Sequence, residues 1–65
     1  MSFEVFQKSI NDIIHKAGGG ISADFRTEDG KHTARLSDGT TITGNLSSLK
    51  VSVKWGSGHQ AMATL

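Results

Sequence analysis

From Leu49 to Trp55 the chain alternates apolar and polar residues without a break: Leu49-Lys50-Val51-Ser52-Val53-Lys54-Trp55. A period of two is the pattern of a half-buried strand, so Leu49, Val51, Val53 and Trp55 are expected to face a core and Lys50, Ser52 and Lys54 to face outward. Near the start the period changes. Phe3, Phe6, Ile10, Ile13, Ile14 and Ala17 recur at helical spacing on one stripe. Ser2 suits the N-cap, Glu4 lies near the positive end of the dipole, His15 and Lys16 lie near the negative end, and Gly18 supplies a stop. The spacing predicts a helix over about Phe3 to Ala17, roughly 22 Å long. Val5 falls off the stripe and is expected at the surface. Membrane-surface and targeting helices are poor in acids on their polar face, and Glu4 and Asp12 argue against both.

Alternation returns after Gly18-Gly19-Gly20, over Ile21 to Glu28. Those glycines follow a helix C-terminus, whereas anions bind at N-termini, so a phosphate cradle is not expected there. Asp29-Gly30 is a two-residue hairpin signal. It pairs Glu28 with Lys31, Asp24 with Arg35, Phe25 with Ala34 and Ala23 with Leu36, which keeps apolar residues on one face and sets an opposite-charge pair on the other. At Ser37-Asp38-Gly39 a three-residue loop with a left-handed Gly39 brings Ile42 opposite Ala34; a two-residue loop would turn Ile42 to the polar face. The third strand is then Thr40 to Gly44. A turn at Gly56-Ser57-Gly58 pairs Trp55 with His59, Val53 with Ala61, Val51 with Ala63 and Leu49 with Leu65. Ala, Met and Gln are better helix than strand formers, so a short C-terminal helix competes with this last strand, which the matching register favours.

The fold expected is α+β: one N-terminal helix packed on a four- to five-stranded antiparallel meander, in a single domain over residues 1–65. Ala23, Ala34, Ala61 and Ala63 would let the helix approach closely. The other face of the sheet would be open and polar.

Composition narrows what such a domain does. With 65 residues and no cysteine, the core is thin and cannot be stapled by disulfides or thiolate-bound metal. Homo-oligomerisation is the remaining route to extra stability. A net charge of +1 creates no global field toward nucleic acid or membrane, so binding must be local. No signal peptide or membrane-length apolar run is present, which predicts a soluble cytoplasmic protein. The initiating Met predicts a complete small reading frame.

Gly56-Ser57-Gly58-His59-Gln60-Ala61 has the Gly-x-Gly-x-x-Ala spacing of a dinucleotide fingerprint, but too few residues follow to open the required helix. A tight turn explains it. What remains open is a local nest of backbone N–H groups for one anion. His15, His32 and His59 lack metal-ligand spacing, so no metal and no cofactor is expected. Ser57 and His59 lack an acid nearby in sequence, and the chain has little room for a water-excluding cleft, so it is not expected to be an enzyme.

Two candidate sites emerge. Arg35, Lys50 and Lys54 share the open face and suit an acidic protein surface. Trp55, Gly56, Ser57, Gly58 and His59 could hold a small anionic ligand such as a nucleotide at a subunit interface. The leading expectation is a non-enzymatic binding or inhibitory protein, of the small kind that phages and mobile elements encode, acting as a homo-oligomer on a protein partner. Sequestration of the small anion is the alternative. Nucleic-acid binding ranks third, because no aromatic is assigned to the open face for base stacking.

Overall fold

A computed structural model describes all residues, 1–65. Helix α1 spans Phe3–Lys16 and is followed by strands β1 (Ala23–Glu28), β2 (Lys31–Leu36), β3 (Thr41–Asn45), β4 (Lys50–Lys54) and β5 (Gln60–Thr64). The strands form one antiparallel sheet in sequence order, an α+β meander as its patterning predicts. The Ser2 side chain caps α1 by accepting from the Val5 N–H at 3.2 Å. Ala17 closes its end, and the chain leaves through Gly18 and Gly19, both at positive φ.

Each predicted register is present. Glu28 faces Lys31 and Asp24 faces Arg35 across β1 and β2, Ala34 faces Ile42 across β2 and β3, and Val53 faces Ala61 across β4 and β5. Asp29 and Gly30 both adopt positive φ, the backbone a two-residue hairpin of this twist requires. Gly39 has φ 95°, as the three-residue loop needs. Element ends move slightly: the first strand starts at Ala23 and not Ile21, and the third runs from Thr41 to Asn45.

In the turn before β3, the Asp38 carboxylate accepts the Thr40 backbone N–H at 2.9 Å. That bond, aided by the Thr40 hydroxyl, holds the Asp38 carboxyl below its ordinary range despite slight opposing desolvation. A carboxyl depressed in the folded state adds stability above its unfolded pKa and loses it as pH falls through the folded value. Asp38→Ala should therefore be less stable than wild type at pH 7, with the gap closing in acid, as pH falls through and below the ordinary Asp value of 3.8. Urea melts of both proteins from neutral pH into acid check it; a constant gap would refute the turn's electrostatic role.

The core lies under α1 and consists of Phe6, Ile10, Ala34, Ile42 and Val51, with Ile14, Phe25, Leu36 and Val53 packed around it. The helix lies over β1 and β2. Rings decide this placement: Phe3 and Phe6 meet Phe25 edge-on at centroid distances of 6.4 and 6.2 Å. Gly44 matters for the same reason, because a β-carbon there would sit 3.0 Å from the Phe6 ring.

The core is narrower than the helical stripe and the strand alternation predict: Ile13, on the stripe, is 51% exposed. Leu49 and Trp55 lie outside the core, Trp55 being 44% exposed, and Ala61 and Ala63 are exposed as well. Their parity is that of the helix side, but a single 14-residue helix covers only one half of a five-stranded sheet. Ala34 and Gly44, and not the β5 alanines, allow its close approach.

Candidate functional site: the open sheet face

The pairing registers sort the strands into two faces. Asp24, Arg26 and Glu28 of β1, Lys31, Thr33 and Arg35 of β2, Thr41, Thr43 and Asn45 of β3, and Lys50, Ser52 and Lys54 of β4 all lie opposite the helix. On β5 the same parity selects Gln60, Met62 and Thr64. Read across the strands, a middle row of Thr33, Thr43 and Ser52 is flanked by two cationic rows. Arg35, Thr41 and Lys54 form one; Lys31, Asn45 and Lys50 form the other.

Five of the seven basic residues stand on this face, against only Asp24 and Glu28 among the acids. Arg26 takes up both carboxylates, at 3.5 Å to Asp24 and 3.9 Å to Glu28. Both contacts are solvent-exposed and add little to stability. Their effect is on the pattern of charge: Lys31, Arg35, Lys50 and Lys54 have no ion-pair partner in the fold. With strands about 4.8 Å apart and residues rising about 3.3 Å, these four cations mark the corners of a frame of about 10 by 13 Å. Thr43 lies at its centre.

Two shallow depressions flank the hydroxyl row. One, of 290 Å³, is bounded by Lys31, Thr43, Lys50, Ser52 and Met62. The other, of 380 Å³, is bounded by Thr33, Arg35, Thr40 and Thr41. Both are open, and all but one of the residues lining each are polar, charged or glycine. They offer cations and hydroxyl donors to anionic groups on an extended surface, while closed burial of a small molecule needs deeper, more apolar walls.

Of the residues predicted from sequence, Arg35, Lys50 and Lys54 stand on this one face. Trp55, Gly56, Ser57, Gly58 and His59 form the exposed turn between β4 and β5. Trp55 N–H donates to the His59 carbonyl at 2.9 Å, and Gly58 N–H to the Trp55 carbonyl at 2.9 Å, which closes the three-residue loop. Gly56 approaches Gly39, so this turn shares an end of the sheet with Arg35 and Lys54, while Lys50 lies toward the other end. None of the surface depressions reaches the turn.

Two members of the site escaped sequence reading. Lys31 abuts the Asp29-Gly30 turn and reads as turn flank, and only the β2–β3 register puts it across Asn45 from Lys50. The parity of β5 was available to place Met62 outward, but an isolated Met within Gln60 to Thr64 carries no signal of its own.

No helix is long and apolar enough to cross a membrane. No protein family, curated protein or solved structure matches the chain.

Proposed function

We propose that this chain is a non-enzymatic binding protein whose open sheet face engages an acidic surface on a protein partner. The observation that carries the reading is the frame of four unpaired cations, Lys31, Arg35, Lys50 and Lys54, around a row of hydroxyls. A frame about 10 by 13 Å wide is too broad for one phosphate or carboxylate to touch every corner. Several carboxylates spread over a protein surface match it. Aromatic platforms, on which single-stranded nucleic acids stack, are absent from this face, which favours protein over nucleic acid. An inhibitory role, of the kind small mobile-element proteins play, is compatible with such occlusion of an acidic site.

The Lys50→Glu/Lys54→Glu double variant tests the reading. Both side chains are exposed on β4, so the fold should survive, as circular dichroism would verify. Tagged wild-type and variant proteins are used as paired baits in cell extract, with captured proteins quantified by mass spectrometry. A set of acidic proteins held by wild type, lost in the variant and released by raised salt is the expected result. Equal capture by both baits would remove this face from function.

A further inference from the structure

The two edges of the sheet differ. Edge β1 carries Asp24, Arg26 and Glu28, charges of the kind that discourage pairing with another strand. Edge β5, Gln60-Ala61-Met62-Ala63-Thr64, has no charge, no proline and an unbroken register with β4. From Trp55 to the last residue the chain contains no Lys, Arg, Asp or Glu. In the middle of that edge stands Met62, 70% exposed and the sole apolar side chain on the polar face of the strands.

The backbone of β5 shows how the edge could be used. Trp55 N–H donates to the His59 carbonyl and Leu65 N–H to the Leu49 carbonyl, so the odd-numbered residues of β5 bond to β4. In an antiparallel ladder the intervening residues then point their N–H and C=O away. Gln60, Met62 and Thr64 thus present the free groups. The strand is also nearly palindromic about Met62: reversing it sets Gln60 against Thr64, Ala61 against Ala63 and Met62 against itself.

We propose that a second copy of this chain pairs along β5, antiparallel, with a two-fold axis through Met62. In that register the outward groups of Gln60, Met62 and Thr64 meet their counterparts in about six backbone hydrogen bonds. The facing Met62 side chains cover each other, and the alanines of both copies share the helix side. The two sheets join into one of ten strands, with both cationic faces on the same side. Lys54 of one copy then shares a row with Lys50 of the other at about 14 Å, beyond a Debye length at physiological salt, so repulsion does not oppose the union. The depression bounded by Lys50, Met62 and Thr64, open in one chain, gains a wall from the second. An edge of five residues buries less than a standard interface, so the dimer is expected to be weak and reversible.

The chain has no native cysteine, which makes cross-linking decisive. Met62→Cys should oxidise to a covalent dimer of twice 6.9 kDa, because the two-fold brings the paired Cα atoms to about 5.5 Å, within disulfide reach. Thr64→Cys alone should not, since its own copy lies about 13 Å away along the strand. Gln60→Cys combined with Thr64→Cys should link again. Sedimentation of the unmodified protein from about 1 to about 500 µM should show a monomer–dimer equilibrium, and Met62→Lys should weaken it by about tenfold or more. A wild-type chain that stays at 6.9 kDa throughout overturns the proposal, as does Thr64→Cys linking as completely as Met62→Cys. If Met62→Lys fails to fold, the cysteine series still decides. None of these measurements needs a partner, so they stand or fall separately from the binding role of the cationic face.

Discussion

Replacing Phe6 by alanine is expected to leave the protein largely unfolded at room temperature. Phe6 is fully buried, belongs to a core of only five apolar residues, and meets Phe25, His32 and Gly44 from one position on the helix. Truncating a buried phenylalanine costs about 3–5 kcal/mol, because transfer energy and cavity energy are lost together. A core of this size supplies only about 3–5 kcal/mol in all. The two quantities are equal in scale, so no reserve remains. Urea denaturation followed by circular dichroism checks this. A variant with a cooperative transition within about 1 kcal/mol of wild type would mean that the helix contributes little to holding the sheet.

The second large effect is expected at His32, a polar residue 2% exposed beneath the helix. Its ring lies between Phe3 and Phe6, at centroid distances of 5.6 and 5.5 Å. Its Nε2 is 3.0 Å from the Met1 carbonyl oxygen, which can only accept, so Nε2 carries the hydrogen. In the neutral ring Nδ1 then accepts from the Thr27 hydroxyl at 3.1 Å. The imidazole thus ties the start of the chain to β1 and β2 and fills the space beside two phenylalanines. His32→Ala should cost about 2–4 kcal/mol, from the cavity and from the lost hydrogen bonds. His32→Phe separates the two contributions. It restores a ring but leaves the Met1 carbonyl without its donor, and about 1–3 kcal/mol of the loss should remain. Equal stability of His32→Phe and wild type would show that His32 acts by filling space alone.

Both predictions bear on the cationic face, because binding by exposed side chains needs a rigid support. Lys50 and Lys54 stand on β4, whose Val51 is buried against the core. Loss of Phe6 or His32 should therefore weaken partner capture through unfolding, whereas Lys50→Glu/Lys54→Glu should weaken it with the fold intact.

Local sequence determined the elements and their registers in this protein. The helical stripe of Phe3, Phe6, Ile10 and Ile14, the Asp29-Gly30 turn and the alternation around Val51 each act within a few turns of chain, and slipping β2, β3 or β4 by one residue would expose its buried set. The same registers made the shared face of Arg35, Lys50 and Lys54 legible. What tertiary structure decided is where the one helix sits. Period and parity mark which side of the sheet is apolar, and they say nothing about which strands a helix too narrow for five of them will cover. Ring packing of Phe3 and Phe6 on Phe25 and His32, with Gly44 leaving room beneath, drew it to β1 and β2. That choice buried His32, left Trp55 and the β5 alanines exposed, and put the uncharged edge beyond the helix's reach. Those outcomes depend on shape complementarity between residues far apart in the chain, which no local pattern encodes.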